Sequence, residues 1–168
     1  MATPGFVPSP MRPIAPLLGE ILVSRCGVAP EAIERALARQ EEEGGLLGEI
    51  LLRLKLVDDD QLALALSLQA EMPYVRDLPK AEDIGVELIE KLPINFARQR
   101  LVLPLGRDAS GRVLLAIADP TAVDVIDAVS VLLAEPVEPV VVSAPRITDH
   151  INKTYTRLRG GAELEESG

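Results

Sequence analysis

One cysteine and one histidine occur in 168 residues. With Cys26 alone there is no internal disulfide framework and no cysteine-rich zinc site, and His150 has no second histidine with which to hold a metal. Aromatic side chains number four, Phe6, Tyr74, Phe96 and Tyr155, and there is no tryptophan. They are too few and too scattered to stack bases. Basic residues are also short: 17 Lys and Arg stand against 26 Asp and Glu, a net charge of -9. Such a chain repels phosphate backbones, which argues against DNA and RNA as partners. No apolar run approaches the roughly 20 residues of a membrane helix. The first sixteen residues carry five prolines and no continuous apolar stretch, so they do not read as a signal peptide. The chain reads as soluble and cytoplasmic, without direct membrane insertion.

What is present is a repeat. Leu17-Leu18-Gly19-Glu20-Ile21-Leu22 recurs letter for letter as Leu46-Leu47-Gly48-Glu49-Ile50-Leu51, an offset of 29 residues. The register holds further on, with Val28 on Val57, Ala36 on Ala65, Leu37 on Leu66 and Gln40 on Gln69. Two copies do not make a solenoid, but they can pair so that each supplies the other's core. Each copy reads as two short helices, because Leu18, Ile21 and Leu22, and Leu47, Ile50, Leu51 and Leu54, fall on one helical face. Pro30 suits a first helical turn, and Asp58 with Gln61 three residues on forms a capping box. The last helix of the repeat, around Leu62 to Leu68, is apolar on two sides and is expected to be buried between layers or covered by a partner.

Residues 71–83, with Pro73 and Pro79, read as a linker, and the pattern then changes. Ile84 to Leu92 and Pro93 to Arg100 read as short helices. Leu101–Leu105 and Val113–Ala118 read as strands joined by a hairpin-like turn. Asp119-Pro120 reads as an N-cap opening a helix to Ala134. Val137–Val142 is a strand placed at an edge by Pro139, and a last helix runs from Ser143 to Arg157. The expected fold class is α+β: a four-helix subdomain over 17–70 built from the tandem 29-residue repeat, then a small α/β subdomain over 84–157 with a three-stranded sheet. Residues 1–16 are expected to be a disordered proline-rich arm and 158–168 a disordered tail.

Catalytic signatures are missing. There is no phosphate-cradling G-x-x-x-x-G-K-[ST], no G-x-G-x-x-G and no G-x-S-x-G. His150 lies on the expected last helix without a nucleophile beside it, and reads as a helix-surface residue. Glu41 to Glu43 and Asp58 to Asp60 read as solvated loop and cap charges. No catalytic residue, metal ligand or resident cofactor is expected, and the chain is not expected to be an enzyme.

The doubled Leu-Gly-Glu-Ile-Leu block closing in Gln40 or Gln69 is followed in order by Met72-Pro73-Tyr74-Val75, Leu103-Pro104-Leu105 and Ala118-Asp119-Pro120. This series resembles the N-terminal, cyclic-di-GMP-binding-like domain of type II secretion and type IV pilus assembly ATPases, over residues 17–157. The ATPase core that follows in that family is absent from these residues, which leaves open a stand-alone relative or a piece of a longer protein. The resemblance implies a non-catalytic regulatory or docking module for an inner-membrane assembly component or an ATPase of such a machine. Leu64 and Leu68, on the doubly apolar helix, are the expected docking face. The alternative it implies is a cyclic di-GMP receptor lined by Leu18, Gly19, Leu22, Leu37 and Gln40 from one motif and Leu47, Gly48, Leu51, Leu66 and Gln69 from the other, with Asp119 reaching a guanine edge. Two positions depart from the family's pattern. The arginine that opens each motif is Leu17 and Leu46, and the mid-motif glycine is Cys26 and Lys55. Leucine cannot offer the planar multi-donor fork of a guanidinium.

Overall fold

A computed structural model of the protein describes residues 18–167, with side chains from 18 to 158. The proline-rich arm over 1–16 and the motif residue Leu17 lie outside the described residues.

Each repeat forms a helix pair: α1 (Leu18–Cys26) with α2 (Pro30–Glu43), and α3 (Leu47–Arg53) with α4 (Asp59–Ala70). The copies interlock, α1 lying against α4 and α2 against α3. Equivalent residues therefore meet in one core, where Ile21 and Ile50, Leu22 and Leu51, Val28 and Val57, and Ala36 and Ala65 are all buried. Gly19 and Gly48 are equivalent too, for the same packing reason. A Cβ on Gly19 would stand 3.0 Å from Ile33 Cγ2, and one on Gly48 would stand 3.0 Å from Leu62 Cδ1.

The turns inside the two copies differ by one residue. Val28 N donates to Leu22 O in the first, and Leu56 N to the equivalent Leu51 O in the second. The left-handed position is accordingly Gly27 (φ 72) in one copy and Lys55 (φ 60) in the other. A tight turn thus survives the loss of the glycine at Lys55, at the strain an L side chain meets there. Helix starts differ as well. Asp58 forms the expected capping box with Gln61, while the equivalent Ala29 offers α2 no side-chain cap. Gln61 Nε2 also donates to Cys26 O at 3.2 Å, tying the start of α4 to the end of α1.

The second half is built on β1 (Val102–Arg107), β2 (Val113–Ile117) and β3 (Val137–Val141), in the order β1-β2-β3. β1 and β2 form the antiparallel hairpin, and β3 runs parallel to β2 through the connecting helix α7 (Val123–Leu133). Short helices α5 (Val86–Glu90) and α6 (Ile94–Arg100) and the long α8 (Ala144–Ser167) complete it. Leu88, Leu92, Leu103, Leu115, Ile117, Leu133, Ile147 and Ile151 are fully buried in its core. Tyr155 OH donates to Leu92 O at 2.5 Å, and burial pushes its phenol up to about 12.

Several expectations are corrected. β1 begins after Leu101, whose left-handed backbone (φ 53) ends α6. Extended backbone at Ile84 and Gly85 shortens α5 and leaves a separate 3-10 turn at Ala81–Asp83. Asp119 does not cap α7, because its carboxylate accepts from Thr121 N and Thr121 Oγ1 in a turn that delays the helix to Val123. α8 continues to Ser167, where a disordered tail from residue 158 was expected.

The stretch between the halves is not a bare linker. Val141 N donates to Pro73 O and Val75 N donates to Val141 O, so residues 73–75 lie along the outer edge of β3 and shield it. α4 packs on α1 and also on β3 and α8, which gives its two apolar sides two layers to cover them. Asp60 pins this junction. Its Oδ1 accepts from Arg146 Nε at 2.9 Å and from Tyr74 OH at 3.0 Å, and its Oδ2 accepts from Arg146 Nη2 at 2.9 Å. Asp60 is therefore not the solvated cap charge the acidic run implied.

Candidate functional site

A groove of about 720 Å³ opens on the helical half. α1 lines it with Leu18, Gly19, Glu20 and Val23, and α2 with Pro30, Ile33, Glu34, Leu37 and Gln40. Leu47 of α3 and Gln69 of α4 close it, so all four helices and both repeats contribute. The floor is aliphatic, and Leu37 is 44% exposed. Of the two motif-closing glutamines, Gln40 donates through Nε2 to Gly45 O at 2.9 Å and so fastens the end of α2 to the turn before α3.

The groove gathers six of the expected ligand residues, Leu18, Gly19, Leu37, Gln40, Leu47 and Gln69. It does not gather the other five. Leu22 and Leu51 are fully buried core residues, and Gly48 is buried against Leu62. Leu66 is half-buried outside the lining, and Asp119 sits on the α/β half. Leu64 and Leu68 are half-buried on α4, Leu68 against the helical core. The sequence reading missed Glu20, Val23, Pro30, Ile33 and Glu34. On α2 the signal was spacing: Pro30, Ile33, Leu37 and Gln40 follow one another three or four apart, and Glu34 stands four from Pro30 and three from Leu37 on the same face.

Among the described residues, Glu20 and Glu34 are the charged ones that line the groove, and no lysine or arginine joins them. Leu46, which holds the place of the second motif arginine, is 67% exposed at the start of α3.

Elsewhere the reactive side chains are isolated. Burial raises the Cys26 thiol, whose Sγ lies 3.7 Å from Gln61 O, so it is a poor nucleophile. His150 is half-buried rather than on the open helix surface. Burial lowers its imidazole from the usual 6.5, and Nε2 has no hydrogen-bond partner among the described residues. Among the described residues no three His, Cys, Asp or Glu side chains are placed to hold a metal ion, and no helix is long and apolar enough to cross a membrane.

The fold and groove define an α+β module in which two interlocked helical repeats share one apolar groove and a small α/β half carries them. The family model for the MshEN domain matches residues 70–161, more than half of the chain, and the chain belongs to that family. The type IV pilus assembly ATPase PilB of Myxococcus xanthus (strain DK1622) is 27% identical over 149 residues, which are 89% of this chain and 25% of PilB. The chain thus spans about a quarter of that relative's length. The structure of MshE with cdg matches at a TM-score of 0.64 and 24% identity, over 83% of this chain and 99% of that one. The N-terminal domain of XpsE matches at 0.58 and 28% identity, over 81% and 92%. The α+β fold read from the repeat and the strand pattern is the fold of these N-terminal domains.

Proposed function

We propose that this chain is a non-catalytic docking module of the type II secretion and type IV pilus ATPase N-terminal type, acting in the cytoplasm. It binds another component of the machinery through the groove between its repeats. The observation that carries this reading is the groove itself, an open aliphatic surface built by both copies whose charged lining, among the described residues, is Glu20 and Glu34. Covering the exposed part of Leu37 is worth about 1 kcal/mol, so several seated side chains together give a stable contact. The test is binding of the full chain to the cytoplasmic part of an inner-membrane assembly protein, compared with Leu37→Ser. The wild-type chain binds and the variant loses affinity with its fold intact. Equal binding by both, or none by either, overturns the reading.

A second reading is a cyclic di-GMP receptor. It is favoured by the six motif residues in the groove and by the likeness in fold to MshE with cdg. It is opposed by electrostatics, because a dianionic ligand would enter a groove whose charged lining, among the described residues, is Glu20 and Glu34 with no guanidinium beside them. A like-charge pair at 4 Å costs about 1 kcal/mol in water and about 4 at the effective dielectric near a protein surface.

A further inference from the structure

Several carboxylates of the fold are held by cations. Glu43 pairs with Arg39 and Arg53, Asp60 with Arg146, Asp124 with Arg100, Glu135 with Arg107 and Glu138 with Arg112. Glu20 and Glu34 have no side-chain hydrogen bond or ion pair among the described residues, although each stands on an apolar wall. The surroundings add to the field. From Leu18 to Ala70 there are five Lys and Arg (Arg25, Arg35, Arg39, Arg53, Lys55) and ten Asp and Glu, a net charge of 5 − 10 = −5. Two of those five cations, Arg39 and Arg53, are already held by Glu43. An aliphatic floor flanked by unpaired carboxylates selects against anions and, equally, for cations next to apolar side chains.

We propose that the groove takes a basic, apolar segment of the partner protein. Its aliphatic side chains seat on Leu18, Ile33, Leu37 and Leu47, and a lysine or arginine beside them pairs with Glu20 or Glu34. This rests on the docking reading and gives its partner a chemistry. The segment has lysine or arginine within a turn of leucine, isoleucine, valine or methionine, and no acidic residues on the seated face. Its arrival is accelerated by the acidic surface and slowed by salt.

The test uses the full chain and two synthetic peptides of equal length with the same leucine positions, one carrying lysine and the other glutamate between them. The lysine peptide binds saturably, more weakly at physiological than at low salt, and at least tenfold more tightly than the glutamate peptide. The double substitution Glu20→Lys and Glu34→Lys lowers its affinity at least tenfold and raises that of the glutamate peptide. Leu37→Ser weakens it as well. The control Glu90→Lys with Asp127→Lys makes the same change in net charge on exposed positions of the α/β half and leaves affinity within twofold. Equal binding of the two peptides, an equal loss in the control, no saturation up to millimolar peptide, or displacement of the lysine peptide by cyclic di-GMP each overturns the proposal. The two readings fail separately. A machinery component that binds through Leu37 but ignores the Glu20 and Glu34 reversal leaves docking standing and removes the cationic preference. Groove binding of the lysine peptide, with no machinery component bound, does the opposite.

Discussion

Replacing Asp60 by asparagine tests how the two halves are held together. Asp60 accepts three hydrogen bonds, two from the Arg146 fork and one from Tyr74 OH. Asparagine keeps the shape and one acceptor, but its amide NH₂ faces an Arg146 nitrogen, so one arm of the fork becomes donor against donor. Fully buried, a hydrogen bond to a charged partner is worth about 1.5–3 kcal/mol. The Asp60 side chain is 31% exposed, and exposed pairs contribute about 1 kcal/mol or less, so the expected loss is about 1.5 kcal/mol in all. The Arg146 and Tyr74 hydrogen bonds hold the Asp60 carboxyl below its ordinary 3.8. A depressed folded-state value means that the stabilisation is complete above about 3.8, the unfolded value, and is lost as pH falls through the lower folded value. Urea unfolding of wild-type and Asp60→Asn chains should therefore differ at pH 7 and converge in acid. Amide exchange at Val75 and Val141 should quicken in the variant, because that edge pairing sits beside the clamp. A difference below about 0.3 kcal/mol at pH 7, or one that persists unchanged in acid, would refute the reasoning.

Further expectations concern the repeat. Lys55→Gly should stabilise the chain by about 1 kcal/mol by relieving left-handed strain, while Gly27→Ala, with no atom within 4 Å of the new Cβ, should lose about as much; both are read from urea midpoints. Ala29→Asp should give α2 the cap that Asp58 gives α4 and add about 1 kcal/mol, measured in the same way. Leu22→Ala should cost about 3 kcal/mol because the side chain is fully buried, whereas Leu37→Ser, at an exposed groove position, should leave stability within about 0.5 kcal/mol while reducing partner binding.

Much of the helical half was legible because its information is local and duplicated. An identical block at a fixed offset revealed two helix pairs, and apolar spacing then placed Ile21, Leu22, Ile50 and Leu51 in one core. Asp58 and Gln61 signal a cap within four residues. Legibility failed where the partner is distant in sequence. Nothing near Asp60 signals Arg146, 86 residues on, so an ion-paired clamp read as one more solvated aspartate. Nothing in Pro73-Tyr74-Val75 signals the edge of β3. The candidate ligand residues divided for a related reason. The resemblance put Leu22 and Leu51 on the list, and it does not show which side of a helical stripe faces a neighbour, so both stood there although the interlocked copies bury them. Glu20 and Glu34 were not singled out, because nothing beside them in the sequence shows that they stand on the apolar wall.

The central claim is that this groove receives a protein partner and turns away the dianionic nucleotide. Calorimetric titration of the full chain with cyclic di-GMP, at low and at physiological salt, tests it most directly. No saturable heat is expected up to about 1 mM ligand, equivalent to binding weaker than about -4 kcal/mol. Saturable binding at micromolar affinity, abolished by Leu37→Ser, would contradict it and make the groove a nucleotide site despite its leucines and carboxylates.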